Sequence, residues 1–166
     1  MDENIFRPAT NRDTSKIVDL IKLILAEFSL EYSTDSTDMD LTDIEESYSG
    51  NGGIFEVIEN ESKEIIGTSA LFRINESTCM LRKMYLDKRY RKLGLGKKIM
   101  ERILNFARDL NFKEIVLETN TSMIAAIQLY EKYGFKKIDN LDDTSSRCNL
   151  TMKKDLSLGK NNEGRG

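Results

Sequence analysis

LRKMYLDKRYRKLGLGKKIMERILNFARDL, residues 81–110, is the most informative stretch of the chain. Residues 81–86 are typical of a strand and residues 95–110 of a helix, and the turn between them carries Gly94 and Gly96. A glycine turn that leads from a strand into a helix leaves backbone N–H groups unpaired at the positive end of the helix dipole. The local pattern therefore predicts an anion-binding site.

Positive charge is concentrated in the same stretch. Residues 82–102 contain nine Lys or Arg and two acidic residues, a local net charge of +7, whereas the whole chain has a net charge of −3. The remaining residues therefore carry about −10. An acidic protein that gathers its positive charge around one glycine turn is expected to bind a polyphosphate there.

Length and composition indicate one globular domain. The chain has 166 residues, enough to bury roughly 70% of the unfolded chain's surface. We assign residues 1–156 to a single domain and expect residues 157–166, which are rich in Gly and Asn, to be disordered. The longest apolar run, residues 123–127, is far shorter than a membrane span, and the acidic start favours a cytoplasmic protein without a signal peptide.

The composition also limits the chemistry. The chain has no histidine, which excludes Ser-His-Asp and Cys-His catalysis and argues against a catalytic zinc site. Its two cysteines, Cys79 and Cys148, lack metal-ligand spacing, and we expect each to behave as a small buried hydrophobe. No metal is therefore expected.

Hydrophobic periodicity predicts an α/β fold with a mixed sheet. Hairpin turns between successive strands favour a central, mostly antiparallel sheet with helices on both faces, in the order β-α-α-β-β-β-α-β-α-β-β. The predicted strands cover residues 4–9, 54–59, 65–74, 78–86, 113–119, 135–139 and 147–154. Helices are expected after residue 13, at 43–48, at 95–110 and after residue 122.

Residues 33–53 differ in character from the rest. Six carboxylates occur there without a cation, namely Asp35, Asp38, Asp40, Asp43, Glu45 and Glu46, and a glycine-rich run follows. We interpret this region as a mobile surface segment.

Two common phosphate-binding motifs do not fit the glycine turn. A Walker A loop needs a Ser or Thr after its lysine, but Gly96 is followed by Lys97 and Lys98. A Rossmann fingerprint needs a third glycine where Ile99 stands, and it opens the first strand–helix unit, whereas hairpin strands come first here.

Two other motifs match a known family. The first is R-x-x-G-x-G at residues 91–96, directly after a strand, and the second is A-I-x-L-Y-x-x-x-G-F at residues 126–135. With both motifs at this separation, the chain resembles the GNAT superfamily of acyl-CoA-dependent N-acyltransferases. The likeness covers nearly the whole chain in element order and is sharpest over residues 84–135. It implies a GNAT-like fold and an acetyl-CoA-dependent N-acetyltransferase.

The resemblance also implies how acetyl-CoA binds. Its pyrophosphate would lie on backbone amides of the turn, where glycine has no Cβ to block a phosphate, and its pantetheine arm would pair with the preceding strand. The implied cofactor-binding residues are Met84, Tyr85, Leu86, Arg91, Lys92, Leu93, Gly94, Leu95, Gly96 and Lys97. The chain departs from the family pattern at Lys88, usually proline, and at Met123, usually an asparagine that contacts pantetheine.

Acyl transfer needs an uncharged amine, a polarised carbonyl and a proton for the leaving thiolate. The resemblance implies that Tyr130 is the general acid, although its helical spacing also suits a core aromatic. A backbone N–H near Leu86 would polarise the carbonyl. Glu118 is the best-placed candidate for general base and Glu27 the next, and water could also accept the proton.

Three alternatives stay open. A non-catalytic acyl-CoA sensor would need the phosphate site but not the tyrosine, and an acetyltransferase for protein N-termini or lysines would need an open groove. For a small-molecule amine, the carboxylates at 35–46 together with Asp139, Asp142 and Asp143 favour a cationic acceptor, although surface loops are commonly acidic. We expect no nucleic-acid or membrane partner and leave open a homodimer.

Overall fold

Seven strands form a single sheet in a computed structural model that describes residues 3–33, 37–138 and 148–157. The strands are β1 (Ile5–Pro8), β2 (Ile54–Glu59), β3 (Ile65–Arg73), β4 (Thr78–Leu86), β5 (Glu114–Thr119), β6 (Lys136–Ile138) and β7 (Leu150–Asp155). Their order across the sheet is β1-β2-β3-β4-β5-β7-β6. Only β4 and β5 run parallel, and the other neighbours are antiparallel.

Four α-helices cover both faces of this sheet in the described ranges. They are α1 (Thr14–Glu27), α2 (Ile44–Ser47), α3 (Leu95–Asp109) and α4 (Ile124–Lys132). Successive strand residues point to opposite faces, so Val57 packs in the core beneath α1 and α2, and Ile58 packs in the core beneath α3 and α4. The predicted fold class and element order are confirmed. No helix in the described ranges is long and apolar enough to cross a membrane.

The segment at residues 33–53, interpreted from the sequence as a mobile surface segment, contributes several buried residues where the structure describes it. Asp38 and Leu41 are fully buried, and Tyr48 packs edge-on against Phe55 and Phe72. The segment forms part of the core over the α1 face. The expected disordered tail lies outside the described residues beyond position 157.

Strand β4 contains one extra residue relative to its neighbour. Thr68 pairs with Tyr85, and Ala70 pairs with Arg82, so Ser69 of β3 faces two residues of β4. Lys83, one of these two, has a positive φ of 52°. This is a β-bulge, which shifts the alternation of the strand by one position.

The bulge reassigns the faces of β4. Before it, Cys79 and Leu81 pack in the α3–α4 core, and after it Met84 and Leu86 contact that same core. Before the bulge, the odd-numbered residues of β4 point toward the α3–α4 core. After the bulge, the even-numbered residues point toward it. As a result, Lys83 points toward the α1–α2 side of the sheet.

Lys83 forms a buried ion pair on that side. Its Nζ lies 2.5 Å from Asp38 Oδ1 and 3.3 Å from Asp40 Oδ1, and the Lys83 and Asp38 side chains are 3% and 0% exposed. Lys83 Nζ also donates to the carbonyl of Thr37, and the Ser33 N–H donates to Asp38. These contacts attach the segment before α2 to the central strand.

We predict that Lys83→Met destabilises the fold by roughly 3–5 kcal/mol, because removing one member of a buried pair leaves the other charge uncompensated. Urea unfolding measures this change, with the exposed Lys88→Met as the matched control. The double variant Lys83→Met, Asp38→Asn should cost less than the sum of the two single changes. Unchanged stability of Lys83→Met would show that the pair does not hold the segment.

Candidate active site

Strands β4 and β5 separate halfway along their length. Their pairing runs from Thr78–Glu114 to Leu81–Leu117 and stops there. Beyond this point β4 still pairs with β3, and β5 still pairs with β7. A cavity of about 730 Å³ lies at the opening, between the two strands and the helices.

The far half of β4 offers a backbone edge to this cavity. Past Leu81, no strand in the described ranges pairs with β4 on the β5 side. Of the residues expected to pair with pantetheine, Met84 and Tyr85 line the cavity, while the Leu86 carbonyl accepts a hydrogen bond from Arg91 Nε at 2.9 Å. An extended, amide-containing ligand arm fits such an edge because it can continue the hydrogen-bond ladder.

The glycine turn follows β4 directly. The chain passes through a short 3-10 turn, Lys88–Tyr90, and α3 begins at Leu95 with Gly94 as its N-cap at φ 85°. A Cβ placed on Gly94 would meet no heavy atom within 4 Å. The space beside Gly94 is therefore open, and the first N–H groups of a helix are the donors that suit a phosphate group at such a position.

Arg91 fastens this turn to the first helix. Besides its bond to Leu86, its two terminal nitrogens donate to the Glu27 carboxylate at 2.8 and 3.0 Å. Glu27, the second candidate for general base, is therefore engaged in a bidentate ion pair at the end of α1. Its position indicates a structural role.

Tyr130 lies on α4 with its ring packed 5.9 Å from that of Phe135, and its side chain lines the cavity. It is both a core residue and a cavity residue. Burial, together with the nearby Cys148, raises the pKa of the Tyr130 hydroxyl well above its usual range, so the phenol stays protonated near neutral pH. Within the described residues the hydroxyl has no hydrogen-bond acceptor.

The two cysteines differ from each other in environment. Cys79 is fully buried, as predicted, and burial raises its thiol pKa to about 12. Cys148 is only half-buried and lines the cavity near Tyr130, so the expectation of a small buried hydrophobe is wrong for it. It is brought there by the chain as it enters β7, a contact between residues distant in sequence.

Glu118 and Arg82 occupy equivalent positions on the two separating strands. Each immediately follows the last paired residue of its strand, Leu117 or Leu81. Because both leucines face the α3–α4 core, the next residue on each strand points to the opposite face. Both charged side chains line the cavity, and no contact within 4 Å joins them.

Sequence reasoning did not identify Arg82 and Lys83, which line the cavity, or Tyr48, whose hydroxyl lies beside Arg82. The only local signal was the pair of adjacent cations inside an otherwise apolar strand. Tyr48 donates its hydroxyl to Asp40. Burial first, and then the Asp40 carboxylate, hold the Tyr48 pKa well above its usual range, opposed by Arg82.

Three carboxylates of the acidic segment have polar partners in the structure. Asp38 and Asp40 contact Lys83, and the exposed Asp43 accepts hydrogen bonds from the Glu46 N–H and from Asn11 Nδ2, both at 3.1 Å. Lys83 therefore offsets part of the negative charge that Asp38 and Asp40 bring to this side of the sheet. Asp35 and the second acidic run, residues 139–143, lie outside the described residues.

The two departures from the family motif fall at informative places. Lys88 is the first residue of the 3-10 turn, where proline is tolerated but not required. Met123 lines the cavity just before α4, with its sulfur 3.8 Å from the Thr119 hydroxyl. An apolar thioether thus stands where the family usually has an amide.

Strands β4 and β5 separate beside a cavity that Tyr130 lines, and a glycine turn leads from the end of β4 into α3. The acetyltransferase (GNAT) family matches residues 17–135 of the chain. The protein therefore belongs to the GNAT family and is an acetyl-CoA-dependent N-acetyltransferase.

Individual relatives agree with this assignment. The N-acetyltransferase YjgM of Escherichia coli (strain K12) is 33% identical over 140 residues, which cover 81% of this chain and 83% of that protein. Human N-acetyltransferase 8 is 33% identical over 104 residues, 59% of this chain. That match spans only 45% of the human protein's length.

Solved structures support the fold. A GNAT-family acetyltransferase from Staphylococcus aureus Mu50 superposes with a TM-score of 0.86 at 28% identity. The alignment covers 93% of this chain and 99% of that chain.

We predict that Gly94→Val lowers acetyl-CoA affinity by about 100-fold or more, because a branched side chain would occupy the space in front of the helix amides. Calorimetry measures the affinity. Gly52→Val is the matched control, since Gly52 also has a positive φ, 84°, but lies away from the turn. Equal affinity of Gly94→Val and the parent would exclude the turn as the phosphate site.

Proposed function

We propose that the protein transfers the acetyl group of acetyl-CoA to the primary amine of a small molecule by direct attack, with Tyr130 as general acid and Glu118 as general base. The observation that carries this proposal is that both side chains line the single opening between β4 and β5. The opening is bounded by the unpaired edge of β4, the element best suited to the donor.

The donor supplies a thioester whose carbonyl carbon accepts the amine nitrogen. Backbone groups of Met84, Tyr85 and Leu86 would orient its pantetheine arm, and the amides of residues 91–97 would hold its phosphates. The net charge of +7 over residues 82–102 attracts this polyanion toward the turn.

The protons balance in this scheme. Glu118 accepts a proton from the acceptor's ammonium, and the resulting amine attacks the carbonyl, which a backbone N–H near Leu86 polarises. As the carbon–sulfur bond breaks, Tyr130 gives its proton to the sulfur. The second proton of the new amide nitrogen returns to the Tyr130 oxygen, so one proton in total leaves through Glu118.

The shape of the site favours a small acceptor. Thr37, Met39 and Asp40 form one wall of the cavity, and the Lys83 ion pair fixes this wall to β4. A protein N-terminus or lysine needs a groove that continues along the surface. A wall that a buried ion pair fixes to β4 limits the space on this side of the cavity, and this supports a small molecule over a protein acceptor.

We predict that Tyr130→Phe retains acetyl-CoA affinity but lowers kcat by about 100-fold or more, because it removes a proton donor and little volume. Thiol release in the presence of a panel of primary amines measures turnover, and calorimetry measures binding. Tyr133→Phe is the control: this tyrosine is also buried and adjacent to α4, but its hydroxyl contacts Glu101 at 3.3 Å outside the cavity.

Two results would contradict the proposal. Parental turnover in Tyr130→Phe would return Tyr130 to a purely structural role. Tight acetyl-CoA binding without thiol release for any amine would favour the non-catalytic sensor.

A further inference from the structure

We propose that the amine acceptor carries a carboxylate and that Arg82 binds this carboxylate. The inference rests on the proposed function, because it specifies the substrate of the same site. It is carried by three observations: how the Arg82 side chain is held, what neutralises its neighbour Lys83, and which charge stands opposite it on β5.

The Arg82 guanidinium is held in place by apolar and sulfur contacts. It stacks over the Phe72 ring with 4.0 Å between the guanidinium carbon and the ring centroid, and its Nε lies 3.3 Å from Met80 Sδ. These contacts occupy one face and the Nε donor. The terminal nitrogens, which also lie beside the Tyr48 hydroxyl, carry the N–H donors that remain for a molecule in the cavity.

Arg82 differs from Lys83 in its charge balance. Lys83 contacts Asp38 and Asp40 and is 3% exposed, so its charge is compensated and inaccessible. No carboxylate of the described residues lies within 4 Å of Arg82, whose polar neighbour is the Tyr48 hydroxyl. A fixed, planar guanidinium without an ion-pair partner is suited to bidentate binding of a carboxylate.

Glu118 supplies the complementary charge. Arg82 and Glu118 follow the last paired residues of neighbouring parallel strands and point to the same face. Paired strands lie about 5 Å apart, and these two have begun to separate. The two side chains can therefore contact the opposite ends of a small zwitterion, with its carboxylate on Arg82 and its ammonium on Glu118 beside the reacting carbon.

This charge pattern favours an amino acid over the cationic acceptor expected from the sequence. That expectation depended on carboxylates of residues 35–46 and 139–143; of these, Asp38 and Asp40 contact Lys83, and Asp43 caps α2. A dication would place its second charge against Arg82. An amino acid would place its carboxylate there.

The test compares acceptors that differ only in the carboxylate. Glycine, methionine, phenylalanine and lysine are each assayed with acetyl-CoA by thiol release, beside their amides and their decarboxylated amines. The lysine series includes cadaverine and so contains the dication. We expect kcat/KM for at least one amino acid to exceed that of its amide by about tenfold or more, because a charge-assisted bond is lost in the amide.

Variants then assign the preference to Arg82. Arg82→Gln should lower kcat/KM for the preferred amino acid by about 10- to 100-fold and change that of its amide by less than about threefold. Arg82→Lys keeps the positive charge but lacks the paired N–H donors of the guanidinium, so its kcat/KM for the amino acid should lie between those of the parent and Arg82→Gln. The exposed Arg12→Gln removes a remote cation and controls for net charge, and urea unfolding confirms that each variant is folded.

Binding separates this inference from the proposed function. Calorimetry with the CoA complex measures the affinity of each amino acid in the parent and in Arg82→Gln. Arg82-dependent binding without turnover would overturn the proposed catalysis and keep the carboxylate site. The inference fails if the parent enzyme does not prefer acceptors with a carboxylate or if it prefers cadaverine. It also fails if Arg82→Gln lowers kcat/KM equally for the amino acid and its amide, or if no amino acid either binds or reacts.

Discussion

The extra residue in β4 is the constraint on which the rest of the site depends. Without it, Lys83 would point into the apolar core beneath α3, where an unpaired ammonium is strongly unfavourable. With it, Lys83 reaches Asp38 on the opposite face and holds the segment before α2 against the sheet. The same shift lets Met84 and Leu86 contact the α3–α4 core. The bulge therefore determines both the packing of β4 and the position of the segment before α2.

The site divides into a backbone half and a side-chain half. We assign the donor side of the proposed site to the β4 edge and the amides of residues 91–97, which need extended geometry, glycine and a helix N-terminus more than particular side chains. We assign the acceptor side to Arg82, Glu118 and the wall before α2. One donor site can therefore serve many acceptors within a family, because the residues that select the acceptor are separate from those that hold the donor.

Much of the fold was predictable because its determinants are local. Alternation of apolar residues at period 2 and 3.6 gave every strand and helix in the right order, and the boundaries of β2 and β4 match the prediction. The glycine turn was predictable for the same reason, since strand, Gly94 and helix are contiguous. Periodicity alone did not predict the position of Tyr130 at the cavity, because its spacing fits a core residue. Only the surrounding motif indicated a functional position.

The sequence by itself determined the elements, their order, the glycine turn before α3 and the family. The tertiary structure alone decided which charges meet. Lys83 and Asp38 are 45 residues apart and Arg91 and Glu27 are 64 apart, and no local pattern specifies such pairs. For this reason the buried residues of the acidic segment, the Arg91–Glu27 ion pair and the position of Cys148 at the cavity were not predicted from the sequence. A β-bulge adds one residue to a strand and has no distinctive composition. Which face of the sheet each later side chain points to is decided only when the neighbouring strand fixes the register.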